Sequence, residues 1–169
     1  MTEPAHSTTI AGWREWVALP SAGVPWIKAK LDTGARSSSV HAFDIEPLPA
    51  GSDGVERVRF RLHPWQRSVA DIVTVECPIH DRRTVRSSSG HAEERIVVLM
   101  EITLIGRAIT AEMTLSNRDA MGFRMLIGRE ALRQGFMVDP RRSFLGGRAP
   151  KPIRRQNRGA AVTRDSATA

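Results

Sequence analysis

The clearest capacity for chemistry in this chain lies at Asp32-Thr33-Gly34-Ala35, where an alternating strand delivers an aspartate into a tight turn. A carboxylate fixed at a strand end can take a proton from water and return one to a leaving group. Gly34 lets other backbone approach closely. The Thr33 hydroxyl can hydrogen-bond its surroundings and steady the loop. Asp, Thr and Gly are common turn formers, so the triplet alone is a weak signal. A second element adds to it: Met125-Leu126-Ile127-Gly128-Arg129 is an apolar strand ending in Gly-Arg, with a short helix after it.

The elements that must position these residues read mainly as β-strands. Trp26–Asp32 alternates, with Ile27, Ala29 and Leu31 on one face and Trp26, Lys28 and Lys30 on the other. Trp16–Leu19 precedes it and stops at Pro20, and a turn fills Ser21–Pro25. Ser39–Phe43, Arg57–Leu62, Ile72–Glu76, Thr84–Ser87, Arg95–Leu104 and Ala108–Leu115 continue the series. Glu46–Gly54 reads as a loop, and Phe136–Val138 and Ser143–Leu145 as final strands. Only Arg129–Gln134, closed by Gly135, has the marks of a helix. The expected fold class is all-β, mainly β with one short helix. Many short strands with frequent turn signals suggest a small barrel or sandwich.

Composition narrows the setting. The 169 residues carry a net charge of +7. From Arg141 onward there are eight Lys and Arg against one acid, Asp165, so residues 1–140 are balanced. The excess belongs to the chain's end, and the body itself gives no argument for nucleic-acid binding. Residues 148–169 read as a basic disordered tail and 1–10 as a disordered N-terminal tail, leaving 11–147 as the domain. The single cysteine, Cys77, excludes an intrachain disulfide. No basic stretch followed by an apolar one opens the chain, and Ile96–Ile105 is interrupted by Glu101 and too short to span a bilayer. A cytoplasmic protein that does not enter the membrane is expected.

Four stretches carry a resemblance to a known family. They are Gly12–Pro20; Lys28–Ser38, which contains the Asp32 triplet; Val85-Arg86-Ser87-Ser88-Ser89-Gly90 with Glu94-Arg95; and Leu126-Ile127-Gly128-Arg129-Glu130-Ala131-Leu132. Together they resemble the bacterial family called ATP-dependent zinc proteases, retropepsin-like aspartic peptidases often associated with RimK-type ATP-grasp ligases. The resemblance runs from Gly12 to Leu145. It implies a closed retropepsin-like β-barrel with a half-barrel from each chain, and a homodimer in which Asp32 of both copies meets at a twofold axis. Asp32, Thr33 and Gly34 would be catalytic, with Gly128 and Arg129 as structural support. Some members of the family are regarded as peptidases acting on glutamyl tails, which the ligases add to a ribosomal protein.

The resemblance also implies a substrate-covering flap at Val85–Val97, turning at Ser88–His91. Where retropepsins commonly carry an acid after the Asp-Thr-Gly-Ala run, this chain has Arg36, so Arg129 must find another partner; Glu130, Asp119 and Glu94 are candidates. Arg36, with Arg86 and Arg95 flanking the flap, can bind substrate carboxylates. Ala35, Ser37, Ser88, Ser89 and Gly90 complete the expected substrate-binding set. The expected substrate is therefore an acidic, glutamyl peptide.

No metal and no cofactor are expected. A hydrolytic zinc site usually takes three protein ligands. Here Cys77-Pro-Ile-His80 offers one pair, and His41, His63 and His91 are scattered. Three readings compete with the peptidase: a zinc-dependent hydrolase using His41, Cys77, His80 or His91; a non-catalytic module that recognises acidic tails; and an RNA-associated protein acting through its basic tail.

Overall fold

In the strand that carries Asp32, Ile27, Ala29 and Leu31 are buried, whereas Trp26, Lys28 and Lys30 are half-exposed. That alternation repeats along the chain and builds the structure, a computed structural model describing residues 7–86, 89–117 and 122–159. In chain order the elements are β1 (Thr9–Gly12), β2 (Arg14–Leu19), β3 (Val24–Asp32), β4 (Ser38–His41), β5 (Phe43–Leu48) and β6 (Arg57–Leu62). There follow β7 (Val73–Pro78), β8 (Asp81–Arg86), β9 (Ala92–Leu104), β10 (Arg107–Ser116), β11 (Met125–Gly128), α1 (Arg129–Leu132), β12 (Phe136–Asp139) and α2 (Lys151–Asn157). Among the described residues no helix is long and apolar enough to cross a membrane.

The main sheet runs β10-β4-β11-β3-β2-β9, and β9 pairs again with β10, so its hydrogen bonding returns to where it began. β8 lies outside this ring on β9. The pairs β10–β4 and β11–β3 are parallel, and the others are antiparallel. β5, β6 and β7 form a separate antiparallel meander, and β1 and β12 a parallel pair made from the two ends of the body. One core joins these sheets. Val58, Phe60 and Leu62 of β6 pack in the same cluster as Leu19, Ile27, Ile102, Leu104, Met113, Met125 and Ile127. A mainly β protein was expected and is found, with the ring closing inside a single chain.

Four segments depart from the sequence reading. β5 continues to Leu48, although Glu46–Gly54 reads as a loop. Pro47 is tolerated there because β5 is an edge strand, with one side free of ladder bonds. Ser143–Leu145 is not a strand: Phe144 has a φ of 57°, and the amides around it bond to Glu15 and Arg14 rather than to a ladder. The first part of the segment read as a disordered arm holds α2, and β1 begins inside the expected N-terminal tail. α2 docks through its last residue. Buried Asn157 accepts the Gln66 amide at 2.8 Å through Oδ1, and its carbonyl accepts the Arg67 amide at 3.0 Å.

Glu15 ties the chain's start to its end. Its side chain is fully buried, and its carboxylate accepts three backbone N–H groups, from Gly12 at 2.7 Å, Leu145 at 3.0 Å and Gly146 at 3.0 Å. Ionised acceptors make the stronger class of hydrogen bond, and each buried donor left unpaired costs about 1–3 kcal/mol. Glu15→Ala is therefore expected to lower stability by roughly 3 kcal/mol or more, measured as a shift in the urea midpoint at unchanged slope. A loss under about 0.5 kcal/mol, the usual range for inert surface changes, would show that the three amides find other partners.

Candidate active site

β3 runs parallel to β11, with Ala29 opposite Met125 and Asp32 opposite Gly128. The two strands therefore end side by side, and the Asp32 loop lies over the start of α1. The half-buried Asp32 turns its Oδ1 into its own loop, accepting the amides of Gly34 at 2.9 Å and Ala35 at 3.2 Å. Thr33 and Gly34 are exposed at the tip. These two bonds fix the carboxylate's rotamer, and the geometry suits a group that must present itself to water or substrate.

Gly128 sets how close the loop can come. A Cβ at this position would fall inside the carbonyl of Ser37 and reach 3.0 Å from the Ala35 oxygen. Without one, three bonds clamp the loop to the strand end: Gly128 N–H to Ser38 Oγ at 3.0 Å, Arg129 N–H to the Ala35 carbonyl at 2.7 Å, and Glu130 N–H to the Arg36 carbonyl at 3.0 Å. The Arg129 side chain adds a long bond from Nη1 to the Thr33 carbonyl at 3.4 Å. Glu130 pairs with Arg36, Nε to Oε1 at 2.9 Å, rather than with Arg129. Glu94, another partner considered for Arg129, pairs with Arg82 at 3.1 Å, and Asp119 lies outside the described residues. The Arg36 side chain remains 80% exposed despite its ion pair.

The remaining expected residues divide between the loop and a hairpin. Ala35 and Ser37 are half-buried in the loop. β8 and β9 form the antiparallel hairpin, with Arg86 opposite Ala92 and Arg83 opposite Arg95. Arg86, Ser89 and Gly90 are exposed at its turn, where Gly90 has a φ of 84° that favours glycine. Ser88 lies outside the described residues. Arg95 is less available than its position in the sequence suggests: its side chain is 16% exposed, and Nη2 lies 3.6 Å from Glu93 Oε2. Sequence reasoning gave no role to the Ser38 hydroxyl. Its one visible signal was its place directly after the loop, at the start of a strand.

Among the described residues, the histidines and the cysteine do not gather at one site. His41 is buried and stacks with Phe43 and His63. His80 Nε2 contacts Glu112 Oε1 at 3.1 Å. Burial pushes the Cys77 thiol above its usual pKa. Among the described residues, no three His, Cys, Asp or Glu side chains group closely enough to hold a metal ion.

Comparison with known families decides the lineage. The model of a family described as "RimB-like: Retropepsin-like aspartic endopeptidase RimB" matches residues 10–149. The chain belongs to the RimB-like family. Named relatives include two proteins called probable alpha-L-glutamate ligase, from Shewanella pealeana and Shewanella halifaxensis, each 48% identical over 138 residues. These matches cover 82% of this chain and 30% of the relatives' length. A third, with the same name, from Desulfotalea psychrophila, is 43% identical over 131 residues and is covered over 28% of its length. A crystal structure of a Legionella pneumophila protein of unknown function is similar, with a TM-score of 0.69 and 28% identity, covering 83% of this chain and 99% of that one. The RimB-like match takes in both the Asp32 loop and the Gly128 strand.

Because the clash at Gly128 is with backbone, side-chain rearrangement cannot relieve it. Gly128→Ala is expected to cost roughly 1–3 kcal/mol, as overpacking does, and to displace the Asp32 loop. Amide exchange at Ala35 and Gly34 should accelerate relative to wild type. Unchanged exchange with unchanged stability would show that the loop does not rest on this glycine.

Proposed function

We propose that the chain is an aspartic peptidase in which Asp32 from two copies hydrolyses bonds in acidic, glutamyl protein tails. The carrying observation is the Asp32 loop, held by its own amides and clamped onto Gly128 and α1. One chain offers one such carboxylate. Two carboxylates brought close cannot both ionise cheaply, so the pair keeps one proton between them. The ionised Asp32 takes a proton from a water molecule, whose oxygen attacks the scissile carbonyl. The protonated Asp32 gives its proton to the carbonyl oxygen. As the tetrahedral species collapses, the C–N bond breaks, the Asp32 that took water's proton gives it to the leaving amine, and the other Asp32 takes back the proton it gave the carbonyl oxygen. The Gly34 and Ala35 amides hold the carboxylate in place during these transfers, within the Thr33–Gly34 turn.

Homodimer formation is supported by the pair β1–β12. A two-stranded sheet is marginal by itself, and its edges invite further pairing. It also exposes apolar side chains, with Ile10 52% and Met137 63% accessible. A second copy can cover both. The hairpin β8–β9 serves in this reading as the flap, with Arg86, Ser89 and Gly90 at its turn and Arg95 further along β9 as substrate-binding residues.

The glutamyl preference rests on Arg36 beside the loop and on the relatives' names. A ligase that adds glutamates makes the kind of tail this peptidase would trim, which supports a functional link to a RimK-type ligase in the cytoplasm. Arg36 would hold a substrate carboxylate bidentately, exchanging its exposed pairing with Glu130 for the substrate.

The deciding experiment is mass-spectrometric cleavage of a peptide ending in several glutamates, with and without chelator. Wild type should cleave under both conditions, and Asp32→Asn should lose about 10³-fold or more. Activity lost to chelator alone would sink the aspartic mechanism, and no cleavage by wild type would favour a module that only binds such tails. Arg36→Ala should lower kcat/KM for glutamyl peptides about tenfold relative to neutral ones. An unchanged ratio would remove Arg36 from substrate recognition.

A further inference from the structure

The outer face of β2 and β3 carries a cleft that the Asp32 loop does not account for. Two hollows, of about 190 and 440 Å³, share Arg14, Lys28, Asn157 and Arg158 in their walls. Arg148 and Arg154 line the first, and Arg67 the second. Six cations thus face one cleft, drawn from β2, β3, the loop after β6 and the segment around α2. No carboxylate among the described residues lines it, and none of the six forms an ion pair with a described acid. No residue from Asp32 to Ser37 lines it either.

The β-meander and the hairpin are arranged differently. There, cations pair with acids, as in Arg59–Glu46 at 2.7 Å, Arg82–Glu94 at 3.1 Å and Arg83–Glu112 at 2.8 Å. In the cleft, aromatic rings hold like charges together instead. Arg14, Lys28 and Arg148 lie 5.0, 5.4 and 5.3 Å from the Phe144 ring centre. Arg14 also covers Trp13 at 4.7 Å, and Lys28 approaches Phe123 at 5.8 Å. Each contact stabilises its cation by about 0.5–2 kcal/mol and leaves the N–H groups free to donate elsewhere. Burial, and then the neighbouring Arg14, Arg158, Arg67 and Arg148, hold the Lys28 ammonium below its ordinary pKa. The free protein pays for this repulsion, and an anion in the cleft would relieve it.

We propose that this cleft binds an acidic peptide, a chain of carboxylates, and holds the glutamyl tail of the substrate at a distance from the Asp32 loop. The inference rests on the glutamyl-peptidase reading above. Two hollows with charges spread along both suit an extended, multiply charged chain better than a single small anion. Arginine forks dominate the lining and match carboxylates bidentately. Nucleic acid fits less well. Single-strand binding normally stacks bases on free aromatic faces, whereas here cations already occupy Trp13 and Phe144.

The test uses full-length protein carrying Asp32→Asn, so that turnover does not intrude, and a fluorescein-labelled hexaglutamate peptide followed by anisotropy. Arg148→Ser/Arg158→Ser removes two exposed cleft cations, and Arg57→Ser/Arg141→Ser removes the same charge elsewhere. Thermal melts establish that all variants fold. The cleft pair should weaken binding about tenfold or more, since charge-assisted bonds are lost, while the comparator pair should have little effect. Equal weakening by the two pairs, no binding at all, or tighter cleft binding of an RNA oligomer or inorganic polyphosphate would overturn the proposal. Cleavage of the same peptide by protein with wild-type Asp32 is scored separately. Cleavage without cleft dependence leaves the peptidase and removes the cleft, whereas cleft binding without cleavage does the reverse.

Discussion

The absence of one side chain, at Gly128, decides where the carboxylate of Asp32 sits. Because no Cβ intervenes, the backbone of residues 35–37 lies directly on the end of β11. Three hydrogen bonds then lock the two segments together. The consequence is mechanical: the loop takes its position from two parallel strands whose inner faces lie in the core, so the carboxylate inherits the rigidity of the ring. Arg36 and Glu130 brace the outside of the same junction with an exposed ion pair, a contribution worth little by itself. The clamp is therefore a backbone device, and side-chain chemistry decorates it.

Much of this was legible in the residues. Period-two alternation located β3 and β6, because burying one face of a strand forces that pattern. The Asp32 triplet and the Gly128 strand each stood out, and their pairing was implied by family resemblance. Three things were not legible. Phe144 reads as a strand residue, yet the buried Glu15 draws the amides of Leu145 and Gly146 and turns the backbone into positive φ. Helix α2 was hidden by its own charges, since its anchor is a single buried asparagine whose partner lies on a remote loop. The exchange of partners at Arg36 and Glu130 was out of reach because candidate acids were several and their distances depend on the folded loop.

Charge bookkeeping along the sequence was accurate and yet misleading about location. The body is electrically balanced and the end is basic, which suggested a neutral domain with a cationic appendage. Folding redistributes that ledger. α2 brings Arg154 and Arg158 against Arg14 and Lys28 of the body, while the body's acids are spent on the meander and hairpin. The basic cleft joins Arg14, Lys28 and Arg67 of the balanced body to Arg148, Arg154 and Arg158 of the basic end. The aromatic residues follow the same logic: Trp13 and Phe144 serve neither as core nor as free platforms, but as ring faces that keep cations in place.

The way Glu15 is satisfied constrains how the protein is born. Its partners Leu145 and Gly146 are 130 and 131 positions away along the chain. β3 likewise waits for β11, and β1 for β12. A ribosome releases the first strands long before the last, so a growing chain carries an unpaired carboxylate, a strand with one missing neighbour and an open edge until nearly all of it has emerged. Contacts of such separation fold slowly and expose sticky edges meanwhile. The same stitching that makes the finished ring rigid thus leaves these edges without partners until the last strands of the body follow the first.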